Sequence, residues 1–554
     1  MHQPSRRQFL AGAGAGAAAL ALAACSNPPS TPSVSSKNQV GAMKTYDVGT
    51  QFKATEPLTF SIAMLSNPAY PYNANWPFFK YLKQMTNVSF NPTVIPYADF
   101  NTKVATLINA GQAPMIIPKT YPGGEDEFVA GGAILPVSDY VDLMPNFQQK
   151  VAEWNLQSNL DTLRQSDGKF YLLPSLLQSV WQDYTLGVRT DILDKLGIPT
   201  PTTWTGVQSM MLAMKKEYPD KYPLSDRWNQ PTPGGNFLNI LSAAYGTAAG
   251  WGYQDPGNGA YWDASSGSFV FAGSMPQYKA MVTFANEMYN QGLIDPESFT
   301  QADAIALQKL TSGKSFVISE NAQYVVTDQQ ALAAIPGATI AKLPLPQGPL
   351  GKKLAENASN RISSGGGVMV SSKALNSPNF TALMQFLDWL YYSDAGQMFA
   401  KWGVQGVTYT GSVADGTFKL EPDVDWGGLN PAGKKLLDVD YGFFNGVFVT
   451  YTGSTQLLDT QFPPAELAFQ KTMSSWATSP LPPPAPLTTE QNQQVTLTGT
   501  TLMDTVQSQT LQFILGKRPL SQWDSYVSEL ETQGASKLVS TYNQAYSTYK
   551  TKYA

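Results

Sequence analysis

Leu58-Thr59-Phe60-Ser61-Ile62-Ala63-Met64-Leu65 is an apolar run of strand length, and together with the segments on its C-terminal side it decides the fold class. Trp76, Phe79 and Leu82 recur at helical spacing within 74–85, and 88–95 returns to a strand pattern. Residues 98–110 read as a second helix, closed by Gly111, ahead of the short apolar strand Met115-Ile116-Ile117. Strand and helix alternating in this way imply parallel β-α-β units, because parallel neighbours need a crossover long enough to hold a helix.

Working outward, Ala133-Ile134-Leu135-Pro136 and Ser138-Asp139-Tyr140 read as a strand end feeding a capped helix, and 169–173 and 185–189 as two more strands. Residues 203–217 put Trp204, Val207, Met211 and Met214 on one face, and 278–290 and 380–392 carry similar stripes, all read as core. The stretches 315–319, 339–343 and 367–371 are strand-like. Residues 480–487 form a proline-rich extended crossing, followed by helical stretches at about 488–515 and 520–549. About 500 folded residues exceed what one hydrophobic core organises, so two or more domains are expected.

The chain starts with a targeting segment. Ser5-Arg6-Arg7-Gln8-Phe9-Leu10 precedes an uncharged small-residue run, and Leu22-Ala23-Ala24-Cys25 closes it. Residues 1–24 are read as a twin-arginine lipoprotein signal, with Cys25 as the new N-terminus and lipidation site. An ordinary cleaved signal is the alternative. Residues 25–51 are rich in Ser, Pro, Thr and Asn and are read as a flexible tether.

The only histidine is His2 and the only cysteine is Cys25, so the mature folded part has neither for triad, thiolate or disulfide chemistry. Net charge is −5, and −7 once Arg6 and Arg7 leave with the signal; with no basic tract, nucleic acid is excluded as a partner.

Several short pieces, taken in order, resemble the extracellular solute-binding proteins, family 1, of sugar ABC importers, and especially their long-chain lipoprotein branch. They are Gly111-Gln112-Ala113-Pro114-Met115-Ile116-Ile117, Asp167-Gly168-Lys169-Phe170-Tyr171-Leu172-Leu173-Pro174, and Val188-Arg189-Thr190-Asp191-Ile192-Leu193-Asp194-Lys195-Leu196-Gly197-Ile198 continuing into Pro201-Thr202-Thr203-Trp204. Gly292-Leu293-Ile294-Asp295-Pro296, Pro344-Leu345-Pro346, Asp388-Trp389-Leu390, Gly403-Val404-Gln405-Gly406 and Phe513-Ile514-Leu515-Gly516-Lys517 come after them. Read alone, Pro-Thr-Thr-Trp is a braked loop with a helix N-cap, and Asp-Gly-Lys a hairpin turn.

The resemblance implies an α/β, two-lobed periplasmic-binding-protein-like fold (type II), with the ligand cleft between lobes joined by hinge strands. It places lobe one at 52–178 plus 360–400, lobe two at 179–359, and a C-terminal segment, 401–554, on both. It implies a carbohydrate ligand, ABC importer permease subunits as partners, a monomer, and a cell-membrane location on the outer face, with membrane contact through the lipid only. No cofactor is expected. The branch often carries a calcium-like Asp/Asn-Gly loop after the 203–217 helix; here that loop reads Lys216-Glu217-Tyr218-Pro219-Asp220-Lys221-Tyr222-Pro223-Leu224, and no metal is expected there.

Sugar rings are gripped by flat aromatic faces and planar polar groups, and aromatics make up 12% of this chain, with 12 Trp. Candidate ligand contacts are Tyr70, Tyr72 and Trp76 after the first strand, and Tyr121, beside Lys119, after the third. Trp181, Gln182 and Asp183 lie on the crossover, and Asn321, Gln323 and Tyr324 after the strand at 315–319. Arg361, which would suit an acidic sugar, and Trp402 complete the set, with Trp228, Trp251, Asn360, Phe443 and Phe444 as further candidates. The leading expectation is a non-enzymatic receptor that captures a saccharide, an oligosaccharide in preference to a single unit, and presents it to a permease. The alternative is a cell-surface carboxylate-dependent glycoside hydrolase or lyase, with Asp183 and Glu320 as its acids.

Overall fold

Strand β1 (Leu58–Ser66) pairs in parallel with both β2 (Val88–Pro96) and β3 (Ile116–Thr120), the connections running through helices α1 (Pro77–Thr86) and α2 (Phe100–Asn109). The computed structural model describes residues 36–227, 235–250, 258–354, 359–362, 366–448 and 453–553. Cys25 and the signal lie outside them. Pro77 opens α1, where its missing N–H costs nothing, and Asn87 closes it in the left-handed region at φ 60°. Two further strands, β4 (Leu173–Pro174) and the late-arriving Gly367–Val370, complete a five-stranded sheet in which the latter runs antiparallel between β3 and β4.

The second sheet is built on β5 (Thr185–Arg189), flanked on its two sides by antiparallel β6 (Val317–Glu320) and β7 (Ile340–Lys342). Residues 224–227 extend it beside β6: Leu224 bridges Val317 in parallel, and Ser225 N–H donates to Val317 O at 3.1 Å. Gly187 in β5 is required by packing, since a Cβ there would collide with Cγ of Glu320. Helix α3 (Trp204–Glu217) starts on Thr203, whose hydroxyl accepts Gly206 N–H at 3.0 Å, the cap that Pro-Thr-Thr-Trp foretells.

Helix α4 (Tyr324–Ala331) follows β6. Helix α5 (Phe380–Tyr392) is buried along its whole length, and its polar residues Gln385 and Asp388 are bonded to Met43 N–H and the Tyr46 hydroxyl. Truncating one of its rings, as in Phe386→Ala, costs about 3–5 kcal/mol. Each sheet has its own core. The first gathers β1 to β4, Gly367–Val370 and α5, together with Val424, Leu437, Phe443, Phe448 and Leu457. The second gathers the β5 sheet, α3 and the helix Pro276–Asn290 with Phe469, Trp476, Phe513, Trp523 and Tyr542.

Three readings change. Residues 38–51 are not tether: Asn38 Nδ2 donates to Ser377 O at 2.8 Å, Met43 N–H to Gln385 Oε1 at 2.9 Å, and the Tyr46 hydroxyl to Asp388 Oδ2 at 3.0 Å. Their partners lie more than 300 positions away, so composition alone reads this strap as solvated chain. Residues 169–172 are not strand: Lys169 O accepts Gln165 N–H at 2.8 Å, Phe170 O accepts Ser138 N–H at 3.2 Å and Phe170 N–H donates to Ser138 Oγ at 3.2 Å, so these backbone groups are spent locally rather than in a ladder. The helical stretch 520–549 is two helices, Trp523–Gln533 and Ala535–Tyr553, broken where Gly534 takes φ 104°.

Three segments cross between the cores and run side by side. Leu177 N–H donates to Arg361 O at 2.9 Å and Gln178 N–H to Gly453 O at 3.2 Å; the hydroxyls of Ser179 and Thr455 meet at 2.7 Å.

Candidate functional site

Because β1, β2 and β3 are parallel, the chain leaves all three at one edge, and this edge carries Tyr70, Tyr72, Tyr97, Lys119 and Tyr121. The antiparallel strand Gly367–Val370 starts there too, with Gly367 opposite Thr120 and Pro174, so the crossings leave lobe one from the same edge. In lobe two, Thr185 pairs with Glu320, so the end of β6 and the start of β5 coincide and bring Glu320, Asn321 and Tyr324 beside Asp183 and Tyr184. Both sheets therefore turn toward the crossings the strand ends outside which α/β folds bind ligands. Burial raises the pKa of Tyr70 and of Tyr324, with a smaller contribution from Tyr97, which is within electrostatic reach of a ring on each lobe. Tyr97 is 60% exposed.

On the lobe-one edge, Tyr70, Lys119 and Gly446 converge: a methyl on Gly446 would lie 3.1 Å from the Tyr70 hydroxyl and 3.2 Å from Lys119 Nζ. Lys119 holds a left-handed backbone at φ 63°, and its ammonium lies 5.8 Å from the centroid of the exposed Tyr121 ring. Tyr72 packs edge-on against Trp76 at 5.7 Å.

On the lobe-two edge, Asn321 is a turn organiser. Its Oδ1 accepts the N–H groups of Gln323 at 3.0 Å and Tyr324 at 2.7 Å, and its Nδ2 donates to the Tyr184 hydroxyl at 3.0 Å. Gln323 is exposed at the start of α4. Beneath lies a buried charge cluster: Arg227 Nη2 donates to Glu320 Oε2 at 2.9 Å, its Nη1 is 3.7 Å from Asp328 Oδ2, and its guanidinium carbon stands 4.0 Å from the Tyr324 ring centroid. Burial, then the facing Asp328 carboxyl, holds Glu320 well above the ordinary carboxylate range. Burial pushes neighbouring Asp226 up to about 6.

On the crossings, Trp181 stacks on Phe462 with ring centroids 4.5 Å apart and planes 21° apart. Asp183 accepts Ala322 N–H at 3.4 Å, and burial raises its pKa against the opposing pull of Lys342. Lys342 itself is spoken for, donating to Glu466 at 2.9 Å and to Asp183 O at 2.8 Å.

Four of the sequence-derived candidates serve the scaffold instead. Trp76 is 2% exposed and donates its indole N–H to Val439 O at 2.8 Å; Trp402 is fully enclosed and donates to Thr460 Oγ1 at 2.9 Å. Gln182 is buried, its Nε2 on Tyr184 O at 2.6 Å and its carbonyl taking Gln470 Nε2 at 2.6 Å. Arg361 spends its guanidinium on Gln178 O at 3.0 Å and Asn155 O at 2.9 Å. Phe443 is core and Asn360 turns the chain by accepting Ile362 N–H; Trp228 and Trp251 lie outside the described residues. The facing edges bring together Tyr70, Tyr121, Asp183, Asn321 and Tyr324. Tyr97 and Arg227 were missed; the strand-end rule that found Tyr70 would have found Tyr97.

Glu320 cannot flank a glycosidic bond as a working acid while it is enclosed with Arg227 and Asp328, which removes the Asp183 and Glu320 pair. At the loop after α3, Lys215 Nζ donates to Lys221 O at 2.8 Å, so an ammonium already sits at that turn.

Two α/β lobes with their ligand edges turned to a common gap define a solute-binding fold. Residues 68–398, more than half the chain, match the bacterial extracellular solute-binding proteins, and the chain belongs to that family. Residues 3–23 match the twin-arginine translocation signal sequence, which makes this an exported, extracytoplasmic protein. The chain is similar to lipoprotein LipO of Bacillus subtilis (strain 168), 22% identical over 367 residues that cover 64% of this chain and 68% of LipO. Among solved structures it shares its fold with the alginate-binding protein AlgQ2 without calcium ion, at 17% identity and TM-score 0.65 over 90% of this chain and 99% of AlgQ2. The S. pneumoniae ABC-transporter substrate-binding protein FusA in complex with kestose matches at 19% identity and TM-score 0.65, over 89% of this chain and 99% of FusA.

Proposed function

We propose that this protein is the receptor of an ABC importer for carbohydrate, an oligosaccharide rather than a single sugar, which it holds in the gap between the lobes and delivers unaltered to permease subunits. The observation that carries the reading is the convergence of Tyr70, Tyr97, Tyr121 and Tyr324 with Lys119, Asp183 and Asn321 at two facing sheet edges. Rings supply area to the apolar faces of a sugar at small entropic cost, and the amide, ammonium and carboxylate supply hydroxyl partners. The ligands named for AlgQ2 and FusA are carbohydrates, which supports the same class here. The three crossings that lie side by side are the hinge about which the lobes close.

The chain acts as a monomer, held to the outer face of the membrane by lipid on Cys25. Palmitate-analogue labelling tests the anchor: label is expected on the wild type and absent from Cys25→Ala, and label persisting in the variant rejects it. X-ray scattering tests the receptor. A saccharide that raises the melting temperature is expected to reduce the radius of gyration, and an unchanged radius with bound sugar contradicts hinge closure.

A further inference from the structure

The cations at the facing edges and on the crossings are, with one exception, consumed inside the protein. Arg227 is committed to Glu320 and Asp328, Lys342 to Glu466 and the Asp183 carbonyl, and Arg361 to the carbonyls of Gln178 and Asn155. Lys401, fully enclosed near the third crossing, donates to Gln461 Oε1 at 3.1 Å. Lys119 is the exception, forming no ion pair among the described residues; its ammonium shares the Tyr70 and Gly446 corner. The internal stretches outside the described residues, 228–234, 251–257, 355–358, 363–365 and 449–452, contain neither Lys nor Arg, so they bring no further cation. Meanwhile Asp183 stands on the crossing between the edges.

A carboxylate is recognised most strongly by a guanidinium fork or by ammonium groups, and discrimination comes from charges left unmatched on desolvation. A uronic-acid oligosaccharide carries a carboxylate on each unit. Here one lysine would answer one of them, and the rest would be desolvated against tyrosine rings and Asp183. We infer that the gap takes an uncharged oligosaccharide and rejects acidic ones, with the commitment of Arg227 and Arg361 to internal partners as the specificity-determining feature. This rests on the receptor reading and narrows it. Lys119 then serves as a hydrogen-bond donor to sugar hydroxyls, and binding carries little ionic-strength dependence, since a neutral ligand brings no charge to screen.

The test is a calorimetric and thermal-shift comparison on the mature protein at low and high salt. The neutral probes are maltotetraose, xylotetraose, kestose, lacto-N-tetraose and methyl-esterified oligogalacturonate; the acidic ones are oligogalacturonate and oligoalginate. The expected result is binding of at least one neutral probe, with Kd changing less than about threefold across the salt range, and no binding of the acidic set. An acidic probe that binds as tightly as the neutral ones, or more tightly than its methyl ester, overturns the inference while leaving a carbohydrate receptor standing. Binding of no saccharide at all, with a response to a peptide pool instead, overturns both.

Discussion

The guanidinium carbon of Arg227 lies 4.0 Å from the centroid of the Tyr324 ring while its Nη2 donates to Glu320 at 2.9 Å. One side chain thus holds an aromatic ring of the lobe-two edge and neutralises a buried acid, coupling the binding surface to the core beneath it. Tyr324→Ala is expected to weaken saccharide binding about tenfold, the order of ~1–1.5 kcal/mol that one aromatic contact supplies, with the unfolding midpoint of the ligand-free protein little changed. Arg227→Met strands Glu320 and Asp328 without their cation and removes the support of the Tyr324 ring, and is expected to cost about 3–5 kcal/mol in urea unfolding and to weaken binding as well.

The strap gives a second prediction. Asp388 accepts not only the Tyr46 hydroxyl but Asn146 Nδ2 at 2.6 Å and Phe147 N–H at 2.8 Å, so it ties the strap, the helix Pro145–Glu153 and α5 into one unit. Tyr46→Phe removes one of these donors and is expected to cost about 1.5 kcal/mol. Hydrogen exchange should show backbone N–H groups of 40, 43 and 54 protected together with α5; exchange at the rate of free chain would return these residues to the tether. On the proposed lipid anchor at Cys25, this tie fixes lobe one and leaves lobe two to swing.

How far the sequence reaches is clear from the same elements. The β-α-β run from Leu58, the Thr203 cap and all of α5 are set by neighbours within one or two turns, and the local pattern records them. The roles of Trp76, Arg361 and Trp402 are set by Val439, by Gln178 and Asn155, and by Thr460, far off in sequence, and nothing in the local pattern names those partners. Aromatic residue type alone therefore over-selects: it cannot separate a ring whose N–H is already bonded inside from one left at a strand end.

Titration gives a third. Burial, then neighbouring Asp126, raises Glu125 to about 8, and burial raises Asp226 to about 6. Between the unfolded carboxylate values and these, the native state holds more protons than the unfolded chain. The stability they contribute is complete below the unfolded values and is lost as pH rises through about 6 and then about 8. Lys401, pushed down to about 7 by burial, has the opposite sign and regains stability above that pH. Melting temperature is expected to fall from pH 5 to pH 7 and to level between about 7 and 8, where the loss at Glu125 offsets the gain at Lys401, and Glu125→Gln should reduce the fall.

The loop after α3 supplies a fourth. With Lys215 Nζ on Lys221 O and 4.9 Å from the Tyr222 ring centroid, the turn is closed by an ammonium. Melting is expected to be the same in calcium and in chelator, and Lys215→Ala to lose about 1 kcal/mol. A calcium-dependent rise in the melting temperature of the wild type would contradict this.

The central claim is that the protein binds an oligosaccharide and lets it go unchanged. Titrating the mature chain with the neutral oligosaccharides in a calorimeter, and then chromatographing the recovered sugar, tests it most directly. One-site binding with the saccharide recovered at its original length is the predicted result; shortened products, or no heat with any saccharide, would contradict the account.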